Sequence, residues 1–246
     1  MKTKKITPLL LIVFLNSIFC FGQENGVVTY TMTSDWVKMY ASCDYLPKAE
    51  RDRNAYTWGG DSDWERKAEL KFNATESRFE GKQDGVERWR MEDYIIYRDR
   101  EKNETFDVMT VLSKDYVIRD SIVCQNWKIK NDLKEVAGRI CMNASAYDSI
   151  KGKEIIAWFA LDLPIPIGPD RYCGLPGIIL EVTEGNGAVV YTATSILFSD
   201  ETMNIEKPAV KKKRKAIGVQ EYNAIVSKYL EECKKMQRPY FWGMRF

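Results

Sequence analysis

Two strand-like runs joined by a tight turn place the strongest constraint on the fold. The runs Ile178 to Thr183 and Ala188 to Thr194 are rich in β-branched and apolar residues, and they flank Gly185-Asn186-Gly187. Asn-Gly is the strongest short signal for a β-hairpin, because both residues accept a positive φ. The sequence therefore predicts an antiparallel hairpin within residues 177–198 and a sheet for it to join.

Further runs of the same kind predict that this sheet is extended and antiparallel. Strand patterns occur at residues 27–32 and near residues 67–72, 86–97, 105–112 and 115–122. Residues 35–65 are polar and contain tryptophan, and Pro47 and Gly59-Gly60 mark them as a long excursion or loop. We expect an α+β protein that is mainly β.

The C-terminal region predicts one helix. Apolar residues recur at spacings of three and four from Val219 to Met236, which is typical of an amphipathic helix of about five turns. We expect it to pack on the sheet, with a membrane-surface helix as the alternative. The basic run 211–215 is expected to be a solvated linker, or else a contact for anionic lipid or glycan. The aromatic tail 239–246 either docks on the core, which we favour, or binds a partner.

Composition excludes several classes of function. The 246 residues include no histidine, which excludes His-dependent triads, His-ligated zinc or haem sites and histidine general bases. The 37 Lys and Arg against 35 Asp and Glu give a formal charge of +2. This balance is not that of a strongly basic nucleic-acid-binding protein. The length favours one domain.

Residues 1–22 predict a secretory signal peptide, followed by a single domain over residues 23–246. Lys2, Lys4 and Lys5 precede an apolar run from Leu9 to Phe21, which is shorter than the roughly 20 residues of a membrane span. We therefore expect an exported, periplasmic or outer-membrane-associated protein without a transmembrane span. A lipid anchor on Cys20 is the alternative, although no small residue directly precedes that cysteine.

Export permits disulfides, and an odd number of cysteines follows the predicted signal peptide, which leaves at least one unpaired. If residues 123–130 and 135–142 form a hairpin around residues 131–134, Cys124 and Cys141 lie opposite each other at a distance that suits a disulfide. A shifted register would leave both as buried thiols. The pairing of the other three stays open: Cys43, Cys173 and Cys233.

A passage rich in proline and glycine leads into the first hairpin. Prolines force an extended path without N–H donors, and glycines permit tight turns, so the chain passes through a rigid corner. We interpret this corner as a structural or docking element. Its candidate residues are Trp158, Pro164, Pro166, Gly168, Pro169, Gly174, Leu175, Pro176 and Gly177.

The hexapeptide Gly-Leu-Pro-Gly-Ile-Ile at residues 174–179 resembles the motif of the GLPGLI family of exported Bacteroidetes proteins. Ile178 replaces a leucine, which conserves volume. Upstream, Gly138, Cys141 and Ala144 also match the family pattern, whereas Cys173 departs from it. The resemblance implies a curved sheet with a covering helix, similar to the half-barrel of lipoprotein carriers. It further implies an accessory role beside a TonB-dependent outer-membrane receptor, and it supplies no catalytic residues.

Candidate chemistry is limited without histidine. Asp162 and Asp170 flank the corner and could form an acid–base pair, although carboxylates near turns are more often solvated or capping. Cys141 with Met142, or Cys173, could bind Cu(I), against a disulfide or a buried thiol. Residues 61–63 begin like a calcium loop, but Arg66 stands where glycine is required.

We therefore expect a non-enzymatic binding or accessory protein without a cofactor, a metal or a nucleic-acid partner. A carboxylate-dependent hydrolase and a soft-metal protein are the alternatives. The seven tryptophans could stack on sugars or peptides. Asp120-Ser121-Ile122 and Asp148-Ser149-Ile150 resemble O-glycan acceptor sites of exported Bacteroidetes proteins.

Overall fold

The computed structural model describes residues 25–59, 63–82, 94–210, 214–242 and 244. The predicted signal peptide lies outside the described residues. So do most of the calcium-like stretch 61–63, the first part of the strand predicted near 86–97, and residues 211–213 of the basic run. Arg214 and Lys215 are described, and Lys215 begins a short strand.

Twelve strands of the described residues form one open, curved sheet. The strands are β1 (Gly26–Asp35), β2 (Asp63–Phe72), β3 (Glu76–Gly81), β4 (Tyr94–Asp99), β5 (Glu104–Val111), β6 (Lys114–Ser121), β7 (Lys128–Val136), β8 (Arg139–Asp148), β9 (Lys153–Ala160), β10 (Ile179–Glu184), β11 (Val189–Phe198) and β12 (Lys215–Ile217). Their order across the sheet is β12-β6-β5-β4-β3-β2-β1-β11-β10-β9-β8-β7. Neighbours are antiparallel except β12, which is parallel to β6. The predicted fold class is confirmed, while the likeness to lipoprotein carriers stays a prediction.

The β10–β11 hairpin is confirmed. Its turn is Gly185-Asn186-Gly187, and all three residues have a positive φ. Glu184 pairs with Val189 across the turn. The local sequence therefore fixes the register of β10 and β11. The proline- and glycine-rich corner leads directly into β10.

Helices cover the sheet at both ends of the chain. They are α1 (Trp36–Ala41), α2 (Lys48–Trp58) and α3 (Val219–Lys235), followed by a 3₁₀ turn at Tyr240–Trp242. The predicted C-terminal helix is confirmed, and Val226 and Leu230 join the main core. Tyr240 and Phe241 are also buried in that core, so this described part of the aromatic tail docks on the core. The region predicted as a long excursion or loop, residues 35–65, contains α1 and α2, and its residues 63–65 belong to β2.

The main core lies on one side of the sheet. Val28, Tyr30 and Met32 of β1 face it and are buried. It also takes in apolar residues from α1, α3 and the corner between β9 and β10. A smaller core on other residues of β4 to β6 includes Tyr97 and Ile205.

The predicted Cys124–Cys141 disulfide is wrong. The turn between β7 and β8 is Ala137-Gly138, where both residues have a positive φ, and this places Lys134 opposite Cys141. Cys124 precedes β7 and forms its disulfide with Cys173, at a Cα–Cα distance of 5.1 Å. Cys141 is a buried free thiol, as are Cys43 and Cys233.

Candidate functional site

The corner between β9 and β10 spans residues 161–178 and consists of two chain passes side by side. The N–H of Ile178 donates to the carbonyl of Leu163 at 2.9 Å, and the N–H of Gly174 donates to the carbonyl of Pro166 at 3.3 Å. These bonds join the first pass, near residues 163–167, to the second, near residues 174–178. The sequence-predicted docking element is therefore a folded unit and not an extended loop.

The two passes expose their prolines and bury most of the apolar residues next to them. Pro164, Pro166, Gly174 and Pro176 are exposed; we call these four residues the proline ridge. Leu163, Ile167 and Leu175 alternate with them and are buried, as are Gly168, Pro169 and Gly177. The ridge therefore rests on apolar side chains that belong to the core.

The first pass satisfies its own backbone donors. The N–H of Ile165 donates to the carbonyl of Leu163 at 2.7 Å, and the N–H of Ile167 donates to the carbonyl of Ile165 at 2.8 Å. Pro164 and Pro166 have no N–H. Within residues 164–167, which the structure describes in full, every backbone N–H is thus used internally, so this surface offers a partner apolar contact and carbonyl acceptors.

Two glycines of the corner are required by close approach. A Cβ on Gly177 would lie 2.0 Å from the carbonyl oxygen of Ala160. Gly174 has a φ of +90°, and a Cβ there would lie 2.8 Å from the Cβ of Cys124. The glycines of the hexapeptide therefore have a structural role in packing the second pass against β9 and the disulfide.

Asp170 fastens the corner to two strands. Its carboxylate accepts hydrogen bonds from the hydroxyl of Tyr191 on β11, at 2.9 Å, and from the hydroxyl of Tyr94 on β4. Asp170 adopts a φ of +52°, a conformation that Asp tolerates better than most residues. Its carboxylate therefore has a positional role.

Arg171 continues this anchor with an ion pair to a fully buried carboxylate. Its Nε lies 3.3 Å from Oδ2 of Asp107 on β5. The other oxygen of Asp107 accepts a hydrogen bond from Thr105 at 2.7 Å and lies 3.4 Å from the guanidinium of Arg98. Because a buried carboxylate is costly without such partners, Asp107 depends on both arginines.

Tyr172 and Cys173 complete four consecutive anchoring residues. The buried ring of Tyr172 packs edge-on against Tyr191 with centroids 6.4 Å apart. Cys173 is bonded to Cys124, and its carbonyl accepts a hydrogen bond from Nε1 of Trp127 at 2.7 Å. Sequence reasoning missed Arg171 and Tyr172, whose only signal was their position between Pro169 and Gly174.

A small recess lies between the anchor and the sheet. It has room for about one water molecule, and its polar lining comes from Ser77, Arg98, Asp170 and Tyr172. The recess is therefore far smaller than a usual small-molecule site, and its Arg98 and Asp170 are already engaged by Asp107 and by tyrosine hydroxyls.

The two candidate catalytic carboxylates have different surroundings. Asp162 is exposed, and its carboxylate pairs with Arg139. Asp170 instead binds Tyr94 and Tyr191. The acid–base interpretation requires both carboxylates to serve one cleft, and each is engaged by separate partners.

The candidate soft-metal ligands are also engaged elsewhere. Cys173 is in the disulfide. Burial raises the pKa of the Cys141 thiol to about 11, which disfavours the thiolate that a metal requires. Among the described residues, no group of three or more Cys, Asp or Glu side chains is placed to hold a metal ion.

Trp158 lies on β9, just before the corner. Its ring packs under the ammonium of Lys134, which lies 4.5 Å from the ring centroid. Lys134 in turn pairs with Glu181 at 2.5 Å. Trp158 is thus half-buried within a cation–π contact and lies outside the proline ridge as defined above.

The two Asp-Ser-Ile sites expose their serines. Ser121 and Ser149 are exposed, while Asp120 accepts a hydrogen bond from the N–H of Val219 at 2.9 Å, at the start of α3. Asp148 accepts hydrogen bonds from two backbone N–H groups of the following turn. Glycosylation at these serines stays a prediction.

A family model matches the part of the chain that contains the corner. This family is described as "Protein of unknown function (Porph_ging)" and is associated with Bacteroidetes, and its model matches residues 147–181. No curated protein matches the sequence. No helix of the described residues has the length and hydropathy needed to cross a membrane.

Two solved structures of PNGF-II, in space groups C2 and P2₁, are similar to this chain. The TM-scores are 0.52 and 0.53 at sequence identities of 13% and 12%. Each match covers 83% of this chain and 33% of the PNGF-II chain. The chain therefore spans about a third of the length of PNGF-II, and the similarity at this identity is one of fold alone.

Proposed function

We propose that this protein is a non-enzymatic, exported accessory protein of the cell envelope whose proline ridge docks on a TonB-dependent outer-membrane receptor. One observation carries the proposal. The ridge exposes three prolines on a base held by the Asp170–Cys173 anchor. A surface fixed in this way loses little conformational entropy when it binds.

The envelope location is supported by the sequence and by the disulfide. Residues 1–22 have the pattern of a secretory signal, and disulfides persist mainly in oxidising compartments. The hexapeptide at residues 174–179 supports membership of the GLPGLI family, whose exported members motivate the receptor as partner. The match of the Porph_ging family to residues 147–181 falls on the same region.

The chemistry of the ridge favours a protein partner. Its backbone N–H groups are internally bonded and its side chains are apolar, which suits an aromatic or aliphatic groove. Such a partner gains affinity from shape and buried apolar area. It gains little from adding a β-strand, because the ridge has no row of free donors.

The test is co-purification from native outer membranes in a mild detergent. The tagged wild-type protein is expected to elute with a stoichiometric TonB-dependent receptor, identified by mass spectrometry. Pro164→Glu and Pro166→Glu should each reduce the recovered receptor at least about tenfold, because a charge in an apolar contact must be desolvated.

Leu197→Glu is the matched control. Leu197 is an exposed apolar residue on β11, so this variant introduces the same charge outside the corner and should leave the yield of receptor unchanged. Thermal unfolding of all three variants establishes that they are folded. Elution of the folded wild-type protein without a receptor, or equal loss in Leu197→Glu, would overturn the docking proposal.

A further inference from the structure

The Cys124–Cys173 disulfide has two very different ends. Cys124 lies in the connection 122–127 between β6 and β7 and is exposed. Cys173 lies in the corner and is only 2% exposed. A thiolate arriving from solvent can therefore reach Cys124, whereas its path to Cys173 is blocked by the corner.

We propose that Cys124 is a thiol–disulfide exchange site, where a small thiol or a dithiol oxidoreductase attacks and thereby loosens the second pass of the corner. This inference goes beyond the proposed function. Only its consequence for docking rests on that function.

The three other cysteines of the described residues are poorly suited to react in this exchange. Cys43, Cys141 and Cys233 are buried and free. Burial raises the pKa of the Cys43 and Cys141 thiols, which keeps them protonated and unreactive at neutral pH. The attack on the disulfide therefore requires an external thiol, and it takes place at the exposed Cys124.

The contacts around the disulfide define what the exchange would loosen. Side-chain Oε1 of Gln125 accepts a hydrogen bond from the N–H of Cys173 at 3.2 Å, and its Nε2 donates to the carbonyl of Arg171 at 3.3 Å. Together with the bond from Trp127 to Cys173, these contacts tie the connection 122–127 to the corner. They are long or partly exposed apart from the bond of Trp127, so the disulfide is the principal clamp.

The anchor on the other side of Cys173 does not depend on the disulfide. Asp170 is held by Tyr94 and Tyr191, and Arg171 is held by Asp107. Reduction should therefore loosen Gly174, the residue next to Cys173, while the buried Leu175 and the first pass stay in place. The proline ridge would then be less firmly fixed at Gly174 and would keep Pro164, Pro166 and Pro176.

The chemical step is an ordinary disulfide exchange. The external thiolate attacks Sγ of Cys124, the Cys124–Cys173 bond breaks, and a mixed disulfide forms on Cys124. Cys173 leaves as a thiolate and takes a proton from water. A second thiol then attacks the external sulfur of the mixed disulfide, so that the reductant is oxidised to its disulfide and Cys124 is released as a thiolate.

The first experiment uses glutathione on the folded, full-length mature protein, with acid quenching and mass spectrometry of the adducts. With reduced glutathione, the expected adduct is a mixed disulfide on Cys124, with the thiol of Cys173 set free. Oxidised glutathione, which can form a mixed disulfide with a free thiol, should leave the buried Cys43, Cys141 and Cys233 of the folded protein unmodified. Adducts that form on Cys173, or reduction that occurs only at the rate of global unfolding, would overturn the proposal.

Two single variants provide a matched comparison. Cys173→Ser leaves an exposed thiol at Cys124, and Cys124→Ser leaves a buried thiol at Cys173. Oxidised glutathione should modify Cys173→Ser at least about 100-fold faster than Cys124→Ser, because access limits the attack. Equal rates in two folded variants would show that the exposure of Cys124 is not what directs the reaction.

Hydrogen exchange tests the loosening separately from any partner. After reduction, the amide of Gly174 should exchange at least about tenfold faster, and that of Ile178, which binds Leu163, should change little. An unchanged amide of Gly174 would refute the loosening. Because neither measurement uses the receptor, failure of the exchange site and failure of the docking proposal give different results.

Discussion

The corner and helix α2 of the N-terminal excursion are built in opposite ways. The corner, residues 161–178, hides a charged and aromatic anchor beneath exposed prolines. No residue of α2 is buried, although the structure describes this helix in full, and Tyr56 is 92% exposed. A surface that is fixed by distant buried partners can bind with little ordering, whereas a helix that few contacts hold must first be ordered.

A column of aromatic rings attaches the end of α2 to its neighbours. Trp36 lies between Trp58 and Trp64, with ring centroids 6.3 and 6.2 Å away. The guanidinium of Arg66 covers Trp64 at 5.0 Å. Three of the tryptophans that the sequence suggested for ligand stacking are therefore packed on one another. The rest of the excursion is held by the main core, in which Met39, Tyr40, Cys43 and Leu46 are buried.

The largest difference between the two regions should come from Gly177→Ala. The added Cβ would overlap the carbonyl of Ala160, and neither β9 nor the corner can move without breaking its anchors. We expect a loss of more than about 3 kcal/mol in the free energy of unfolding, measured by urea denaturation.

Gly81→Ala is the control for this substitution. Gly81 ends β3, and a Cβ there would meet no atom within 4 Å. Its effect should stay within about 0.5 kcal/mol. If Gly177→Ala were equally mild, the corner would be a deformable loop and the contrast with the excursion would disappear.

Asp170→Asn should have the next largest effect. Asparagine keeps the shape of the side chain and tolerates the positive φ, but it replaces an anionic acceptor of two tyrosine hydroxyls with one carbonyl and an amide donor. We expect a loss of about 2 kcal/mol by urea denaturation.

Asp162→Asn separates this role from simple loss of charge. Asp162 lies in the same corner but is exposed, so its replacement should cost no more than about 1 kcal/mol. Equal effects of the two variants would show that the buried tyrosine contacts do not hold the corner.

Local signals explain which parts of the fold the sequence predicts. The turn Gly185-Asn186-Gly187 and the apolar spacing of α3 each lie within one stretch of chain, so their structure follows from neighbouring residues. The glycines and prolines of the corner likewise predict a rigid change of direction. These features were predicted because none of them depends on the pairing of distant segments.

The disulfide and the anchor required information from elsewhere in the chain. The β7–β8 turn falls at Ala137-Gly138, where Ala137 takes a positive φ that its residue type disfavours. The sequence therefore offers no reason to place the turn there, and the predicted strand register was wrong. The anchor depends on Asp107, Tyr94 and Tyr191, which come from three different strands. A single sequence does not show which residues of distant strands come into contact.

A pH-dependent comparison concerns Glu184, which accepts a hydrogen bond from Tyr172 of the anchor. Burial raises the pKa of this carboxyl. Its contribution to stability is therefore fully present below the ordinary glutamate pKa of about 4.3 and is lost as the pH rises through the folded-state value. Glu184→Gln removes this loss, so the stability of the variant relative to the wild type should increase between about pH 4 and 7.

Urea denaturation at several pH values measures this difference. Glu154→Gln, at an exposed position on β9, controls for the loss of one negative charge. A relative stability of Glu184→Gln that falls with pH would mean that the carboxylate under the corner is stabilised by its surroundings, which is the reverse of what its burial implies.

The smallest effect is expected from Trp58→Ala in the excursion. Trp58 is 40% exposed and meets Trp36 at the edge of the aromatic column, so its removal deletes one partly solvated ring contact. We expect a loss of no more than about 1 kcal/mol in urea denaturation, together with faster amide exchange confined to α2. A loss of more than about 2 kcal/mol, or faster exchange that reaches β1, would mean that the excursion is fixed as firmly as the corner. The preference for the corner as the docking surface would then lose its physical basis.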